Sequence, residues 1–221
     1  MARFGMVLNL QRCVRCRTCY VTCKREHNIV AHPKDDQHPY EYYRLRYVEW
    51  EWGEYPTVRR SFVPLHCVQC ENPICAEFCP TEAIIQREDG IIQVLKEKCN
   101  GCGVCTVVCP YGAIYLGHDQ KADVCDFCVE RVDKGLLPKC VEMCPAGARI
   151  FGDLNDPTSQ ISRIVSSSRG KPLVLAGNEH NSVYYIPSTN ERAWNDLEYD
   201  GGFKKALNKR RKDLPPIRGV L

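Results

Sequence analysis

The chain has 221 residues, which is enough for one large domain or two small ones. Charged residues make up 26% of it and apolar residues 44%, so the composition is that of a folded globular protein and excludes a disordered one. The formal net charge of +3 gives no reason to expect nucleic acid as a partner. Since no stretch reaches the roughly 18 consecutive apolar residues of a transmembrane helix, we expect no membrane span in this chain.

The start of the chain, residues 1–10, predicts a β-strand. It lacks the long apolar segment of a secretory signal, and it carries no twin-arginine motif. Two compartments therefore fit the sequence. One is the cytoplasm, and the other is the periplasm, reached by co-export with a partner that bears a twin-arginine signal. In either compartment, attachment to a membrane would be peripheral.

Sixteen cysteines fall into four groups of four, and none is left over. The groups are Cys13, Cys16, Cys19 and Cys23, spaced C-x2-C-x2-C-x3-C; Cys67, Cys70, Cys75 and Cys79, spaced C-x2-C-x4-C-x3-C; Cys99, Cys102, Cys105 and Cys109, spaced C-x2-C-x2-C-x3-C; and Cys125, Cys128, Cys140 and Cys144, spaced C-x2-C-x11-C-x3-C. A proline follows the last three groups, at Pro80, Pro110 and Pro145, whereas Lys24 follows the first.

Three kinds of site compete for these cysteines. Disulfides suit small secreted scaffolds, but neighbouring C-x2-C pairs cannot all reach distant partners. Structural zinc takes two C-x2-C pairs and does not need a run of three cysteines at x2 spacing with a fourth at x3. The run C-x2-C-x2-C-x3-C followed by proline is typical of bacterial ferredoxins. The sequence therefore predicts iron–sulfur clusters, and sixteen cysteine ligands predict four [4Fe–4S] clusters.

The fourth cysteine of such a run binds the other cluster of a pair, because it lies one helical turn beyond the loop that holds the first three. We therefore predict crosswise ligation. Cluster 1 is assigned to Cys13, Cys16, Cys19 and Cys144; cluster 2 to Cys23, Cys125, Cys128 and Cys140; cluster 3 to Cys67, Cys70, Cys75 and Cys109; and cluster 4 to Cys79, Cys99, Cys102 and Cys105. No histidine ligand is needed. His66, beside Cys67, is expected to pack in the loop, and the other five histidines are assigned no ligand role.

A repeat follows the second, third and fourth groups and predicts a helix end that runs into a short strand. Its copies are Pro80-Thr81-Glu82-Ala83-Ile84, Pro110-Tyr111-Gly112-Ala113-Ile114 and Pro145-Ala146-Gly147-Ala148-Arg149-Ile150. Between the second and third groups, Asp89-Gly90 separates two short apolar runs and predicts a hairpin.

The predicted fold class is α+β, with two bacterial 2[4Fe–4S] ferredoxin-like modules, one inserted in the other. Residues 60–118 form the inserted module, and residues 1–59 and 119–150 form the outer one. Since such modules bury mostly cofactor and thiolate, folding should be coupled to cluster insertion.

Two segments lie outside the ferredoxin pattern. Residues 34–62 are an insertion rich in aromatic residues, namely Tyr40, Tyr42, Tyr43, Tyr47, Trp50, Trp52 and Tyr55. The insertion fits an extended segment that covers the first cluster or a protein-docking surface, and less well a single-stranded nucleic-acid site.

Residues 151–221 form a Cys-free C-terminal extension that is expected to dock on another subunit. A capped helix is predicted over Ser159–Ser168, and strands over Pro172–Ala176 and Val183–Ile186. The tail from Phe203 is basic, and it fits a solvated tail, a segment that wraps over a partner, or a membrane-surface patch.

The four groups in this order, with x4 spacing only in the second and the x11 gap only in the fourth, resemble the four-cluster electron-transfer (beta) subunits of the molybdopterin oxidoreductases. That family includes subunits of dimethyl sulfoxide, polysulfide, tetrathionate and arsenate reductases and of formate dehydrogenase. The phrases Gly53-Glu54-Tyr55-Pro56, Cys70-Glu71-Asn72-Pro73, Val132-Asp133-Lys134-Gly135 and Phe151-Gly152-Asp153-Leu154 look like family landmarks. The resemblance covers residues 5–187 well and the tail poorly.

The resemblance implies a large catalytic subunit that holds molybdenum or tungsten on two pyranopterin guanine dinucleotides. It also implies that the first and fourth groups lie toward that subunit. A membrane subunit that exchanges electrons with quinone is frequent in the family. In nitrate reductase relatives, a tryptophan replaces one cysteine of the third group and one cluster becomes [3Fe–4S]. Here Cys102 and its neighbours are all present, so four [4Fe–4S] clusters are expected.

The expected function is one-electron conduction by a non-catalytic subunit of an oxidoreductase complex in anaerobic respiration. No nucleophile–base pair, P-loop or dinucleotide fingerprint is present in the sequence. Cations beside the first group should raise the potential of its cluster; they are Arg12, Arg15, Arg17, Lys24 and Arg25. Gly101 and Gly103 should let backbone amides approach the cluster sulfurs.

Two other classes of function stay open from the sequence, a free-standing polyferredoxin and a zinc scaffold.

Overall fold

The computed structural model describes residues 1–30, 42–173 and 180–187. The helices in these ranges are α1 (Thr18–Glu26), α2 (Ile74–Glu77), α3 (Val104–Val108), α4 (Val129–Val132), α5 (Lys139–Glu142) and α6 (Gln160–Ser166). The strands are β1 (Phe4–Asn9), β2 (Arg46–Trp52), β3 (Arg59–Leu65), β4 (Ile84–Gln86), β5 (Ile92–Val94), β6 (Tyr115–Leu116), β7 (Ala122–Asp123), β8 (Arg149–Asp153), β9 (Lys171–Pro172) and β10 (Val183–Ile186). The fold is therefore mixed α and β, and its elements are short. Within these ranges, no helix has the length and hydropathy needed to cross a bilayer.

The largest sheet has four strands in the order β8-β1-β10-β9, with β1 antiparallel to β8 and parallel to β10. The predicted N-terminal strand is thereby confirmed as β1. Its apolar run is nearly continuous because the strand is buried on both faces. Met6 and Leu8 point into the main core, and Val7 packs with Ile161 and Ile186 on the other face.

The described part of the C-terminal segment shares this sheet. The predicted strand Val183–Ile186 is confirmed as β10, and it pairs directly with β1. Of the predicted strand Pro172–Ala176, β9 includes Pro172, while residues 174–176 lie outside the described ranges. The basic tail also lies outside them.

The predicted C-terminal helix is confirmed as α6. Its N-cap is Ser159, whose Oγ accepts a hydrogen bond from the backbone N–H of Ser162 at 3.1 Å. This bond satisfies one of the amide groups that the first turn of a helix leaves unpaired. The helix covers the outer face of β1 through Ile161.

Two pairs of short helices bring the cysteine groups together. Helix α1 packs against α5, which joins the first group to the fourth, and α2 packs against α3, which joins the second to the third. The predicted hairpin between the second and third groups is confirmed as β4–β5. A further hairpin, β6–β7, crosses residue 118, the boundary predicted between the inserted and outer modules. One continuous hydrophobic core contains residues from both predicted modules.

Candidate iron–sulfur centres

A small, partly open cavity lies beside the start of α1. Four cysteines line it, namely Cys13, Cys16, Cys19 and Cys144. Cys13 and Cys16 come from the loop that enters α1, and Cys19 comes from the first turn of α1. The loop turns sharply because Arg15 and Arg17 both adopt positive φ angles, 60° and 59°. The fourth comes from the turn after α5. This set therefore combines three cysteines of the first group with one of the fourth.

A second small, partly open cavity is lined by residues of the second and third groups. The cysteines that line it are Cys79, Cys99, Cys102 and Cys105. Three of them belong to the third group, and Cys79 is the last cysteine of the second group. The same three-plus-one combination thus occurs at both cavities.

The remaining eight cysteines form two sets. Cysteines of one set lie close enough to raise each other's pKa, and this effect shows which of them are neighbours. Burial raises the pKa of Cys125 well above its ordinary value, and the thiols of Cys23, Cys140 and Cys128 raise it further. Burial likewise raises the pKa of Cys67, and Cys70, Cys75 and Cys109 add to the shift. The structure therefore brings together the four sets that the crosswise scheme assigns to clusters 1 to 4. The assignment of ligands to iron stays a prediction.

The cysteine side chains of the four sets fit a cluster whose iron–sulfide core, without its ligands, is positively charged. Burial raises the pKa of Cys105 and that of Cys128 to about 12, with neighbouring thiols raising both. Without metal these side chains are neutral thiols at pH 7, whereas cluster ligands are thiolates. Iron would therefore supply the charge that lets four thiolates share one site. In the parts of the chain that are described, no three Cys, His, Asp or Glu side chains converge on one metal-ion position.

Backbone amides donate to several of the cysteine sulfurs. In the three repeats the alanine four residues after the last cysteine donates its N–H, from Ala83 to Cys79 Sγ at 3.3 Å, from Ala113 to Cys109 Sγ at 3.4 Å and from Ala148 to Cys144 Sγ at 3.3 Å. Such bonds stabilise negative charge on sulfur and raise cluster potentials. These bonds were not predicted, although the alanine recurs at the same place in each repeat and marks them in the sequence.

The described part of the aromatic insertion forms the hairpin β2–β3 and covers the first group of cysteines. The Tyr47 hydroxyl lies 2.9 Å from Cys19 Sγ. Arg17 pairs with Glu49 at 2.8 Å, and the Arg15 guanidinium stacks 4.1 Å above the Phe62 ring. The hairpin therefore lies against the first group of cysteines, and both the covering role and the docking role stay predictions. Residues 31–41, including Tyr40, lie outside the described ranges.

The cations predicted to act on the first cluster lie largely at the surface. Arg12, Arg15, Arg17 and Arg25 are exposed, so water screens their charge. The cation buried at this cavity is instead Arg149, which lines it and is 5% exposed. Burial opposes its charge, but electrostatic interaction with Cys140 and Cys19 raises the pKa of Arg149 above the ordinary value, so it stays protonated.

Two histidines lie beside cysteines. His66 is buried, and its Nδ1 lies 2.8 Å from the carbonyl oxygen of Cys67, which confirms the predicted packing role in the loop. His27, which the sequence analysis left without a role, has its Nε2 3.2 Å from Cys128 Sγ. No sequence signal marks His27, because 101 residues separate the two.

The two glycines of the third group differ in how closely other parts of the chain approach them. Gly101, with φ of 73°, lets the loop approach the chain at Gln120, since a Cβ there would lie 2.3 Å from the Gln120 carbonyl oxygen. Gly103 also has a positive φ, 82°, but a Cβ there would meet nothing closer than 3.8 Å. The backbone amide of Ala122 donates to Cys99 Sγ at 3.3 Å. The role of the two glycines toward the cluster sulfurs stays a prediction.

These glycines form a matched pair for mutation. Both Gly101→Ala and Gly103→Ala should incur the backbone cost of positive φ, about 1–2 kcal/mol. Only Gly101→Ala must also displace backbone, so we expect it to lose cluster 4 and about a quarter of the iron. Iron analysis of both anaerobically purified variants measures this difference. Equal iron in the two variants would contradict the close-approach role of Gly101.

Comparison with known proteins places these cysteine sets in a family. Residues 58–154 match the family model of the 4Fe-4S dicluster domain. The chain is 38% identical to the B subunit of tetrathionate reductase from Salmonella typhimurium over 189 residues, which cover 83% of this chain and 72% of that protein. It is 34% identical to the B subunit of sulfite dehydrogenase from Allochromatium vinosum over 90% of this chain and 88% of that protein. It is 36% identical to the B subunit of polysulfide reductase from Wolinella succinogenes over 75% of this chain and 84% of that protein. The chain therefore belongs to the family of iron–sulfur beta subunits of the molybdopterin oxidoreductases.

Proposed function

We propose that this chain is a non-catalytic electron-transfer subunit with four [4Fe–4S] clusters. It conducts single electrons between a molybdenum or tungsten bis-pterin catalytic subunit and a quinone-linked or soluble redox partner. The observation that carries the proposal is the three-plus-one combination of cysteines in all four sets, since this is the ligand pattern of paired ferredoxin clusters. Each cluster, when bound, takes up and releases one electron, and the protein holds the thiolates and sets the potentials.

The packing of the helices supports crosswise ligation within two modules. Cys19 and Cys23 lie on the same face of α1 but one turn apart along its axis, so each can reach a different set. Helix α1 also packs against α5, which carries Cys140. Helix α2, which carries Cys75, packs against α3, which carries Cys105, and this contact joins the second group to the third. We therefore propose an inserted module at 60–118 within an outer module at 1–59 and 119–150, followed by a docking extension at 151–221.

Contacts between neighbouring sets support an electron path through the clusters in the order 1, 2, 3, 4. Cys19 of the first set raises the pKa of Cys140 in the second set electrostatically, so the two side chains are near each other. Gln69, between two cysteines of the third set, donates from Nε2 to the carbonyl oxygen of Cys125 in the second at 2.6 Å. Cys105 of the fourth set likewise raises the pKa of Cys75 in the third set.

The partner is proposed from the relatives. Their names are those of subunits of tetrathionate reductase, polysulfide reductase and sulfite dehydrogenase, so each works beside at least one other polypeptide. For this chain we propose a large pterin-containing partner, and a membrane subunit that interacts with quinone where the complex has one. Such a complex lies in the cytoplasm, or in the periplasm if the partner carries the twin-arginine signal.

Anaerobic purification of the native complex tests this function. We expect about sixteen iron and sixteen sulfide per copy of this chain, because four cubanes each hold four of both. We also expect a co-purifying large subunit with molybdenum or tungsten. Zinc in place of iron would contradict the proposal. This chain isolated alone with full iron and no pterin metal would favour the free-standing polyferredoxin.

A further inference from the structure

One residue of the repeat breaks its pattern. The position after the recurring alanine is Ile84 in the first copy and Ile114 in the second, and both side chains are buried, at 4% and 1% exposed. The third copy has Arg149 there, and it is buried to the same degree, at 5% exposed. A buried arginine costs several kcal/mol of desolvation where an isoleucine costs none. An anionic partner must therefore offset the charge of Arg149.

The described residues contain no carboxylate partner for Arg149. Its Nη1 lies 3.4 Å from Met6 Sδ and 3.8 Å from Cys140 Sγ, and its buried Nη2 has no hydrogen-bond partner. Arg44, a largely buried arginine near the cysteines, differs in this respect. Arg44 pairs with Asp123 at 2.9 Å and with Asp126 at 2.7 Å, so its charge is already balanced.

Arg149 lies between two cysteine sets. It lines the cavity of the first set, beside Cys13 and Cys19, and it contacts Cys140 of the second. A [4Fe–4S] core with four thiolate ligands carries net negative charge, which becomes more negative by one when the cluster takes up an electron. An unbalanced cation at this position therefore stabilises the reduced form of both clusters.

We propose that Arg149 is a positioning residue shared by clusters 1 and 2, which raises the reduction potentials of both through its unpaired charge and supplies Nη2 as a hydrogen-bond donor to cluster 1. This inference rests on the proposed function. It explains why a guanidinium replaces the isoleucine of the other repeats at the junction of the first and fourth groups alone. Clusters 3 and 4, whose repeats have isoleucine, have no equivalent cation at that position.

The test is a redox titration of the loaded protein followed by electron paramagnetic resonance. Its variants are Arg149→Lys, which keeps the charge, and Arg149→Met and Arg149→Gln, which remove it. In both neutral variants we expect the ratio of reduced to oxidised cluster at a fixed potential to fall at least tenfold for clusters 1 and 2, which is about 59 mV for a one-electron couple. Clusters 3 and 4 should change less than about threefold, and Arg149→Lys should retain most of the wild-type ratio.

Arg131→Met is the matched control. Arg131 pairs with Glu26 after Cys23 and with Glu142 beside Cys140, so it lies near the same helices but its charge is balanced at the surface. It should change the ratio for clusters 1 and 2 by less than about threefold. Signals of clusters 1 and 2 are identified by their loss in Cys19→Ala and Cys23→Ala.

Two results would overturn the role of Arg149. One is a loaded neutral variant with unchanged potentials at clusters 1 and 2, and the other is an equal shift in Arg131→Met. Arg149→Gln keeps a polar side chain, so it decides the question if Arg149→Met does not assemble. The wild-type iron and sulfide content is measured first. A chain without iron refutes the proposed function, whereas normal iron with unchanged potentials refutes only the role of Arg149.

Discussion

Replacing Cys23 by alanine should remove cluster 2 and leave cluster 1 assembled, although Cys23 belongs to the same sequence group as Cys13, Cys16 and Cys19. The physical reason is its position on α1, one turn after Cys19, where burial and the thiols of Cys140 and Cys128 raise its pKa. A cluster that loses one of four thiolates either fails to assemble or loses iron. Iron should therefore fall from about sixteen to about twelve per chain.

The matched control is Cys19→Ala on the same helix. Cys19 lines the cavity of the first set, so this variant should lose cluster 1 and keep cluster 2. The two variants should have equal iron content but lose different signals in electron paramagnetic resonance. If both variants lose the same signal, ligation follows the sequence groups and the crosswise scheme is wrong.

Removal of iron should unfold the chain. Seven cysteines belong to the main hydrophobic core, where they pack with residues such as Met6 and Ile92. A structural metal site contributes on the order of 10–16 kcal/mol to folding, which is comparable to the whole net stability of a domain, about 5–15 kcal/mol. The apo chain should therefore have no cooperative thermal transition.

Circular dichroism of loaded and iron-depleted protein, both kept anaerobic and reduced, measures this effect. Reconstitution with ferrous iron and sulfide should restore the transition, and zinc under the same conditions should not. An apo chain that melts cooperatively at the temperature of the loaded chain would contradict the coupling of folding to cluster insertion.

Local patterns in the sequence predicted most short elements correctly. The hairpin at Asp89-Gly90, the strand at residues 1–10 and the capped helix after Asp156 are all confirmed. These features depend on neighbouring residues, such as a turn dipeptide or a serine cap. Interactions between residues close in sequence are therefore visible in the sequence itself.

Contacts between distant residues escaped prediction, because one sequence has no pattern that reports them. Strand β10 lies between β1 and β9 in the largest sheet, and no local pattern shows which strand pairs with β1. The β6–β7 hairpin joins residues assigned to different modules. Gln69 joins the third cysteine set to Cys125, and its partners lie 56 and 23 residues away.

The cysteine spacing by itself determined the chemistry of this protein, because cluster ligands must come in a few short, regular runs. The spacing also predicts how the runs pair, since the offset of each fourth cysteine and the hairpin between the second and third runs leave few alternatives. The tertiary structure alone decided which charges act on those cysteines. The arginines beside the first run are exposed to water, whereas Arg149 is placed in the interior by the strand pairing of β8 with β1. Burial, and not proximity in sequence, determines how strongly a charge acts on the cysteines. Water screens an exposed charge strongly, whereas the protein interior screens a buried charge much less.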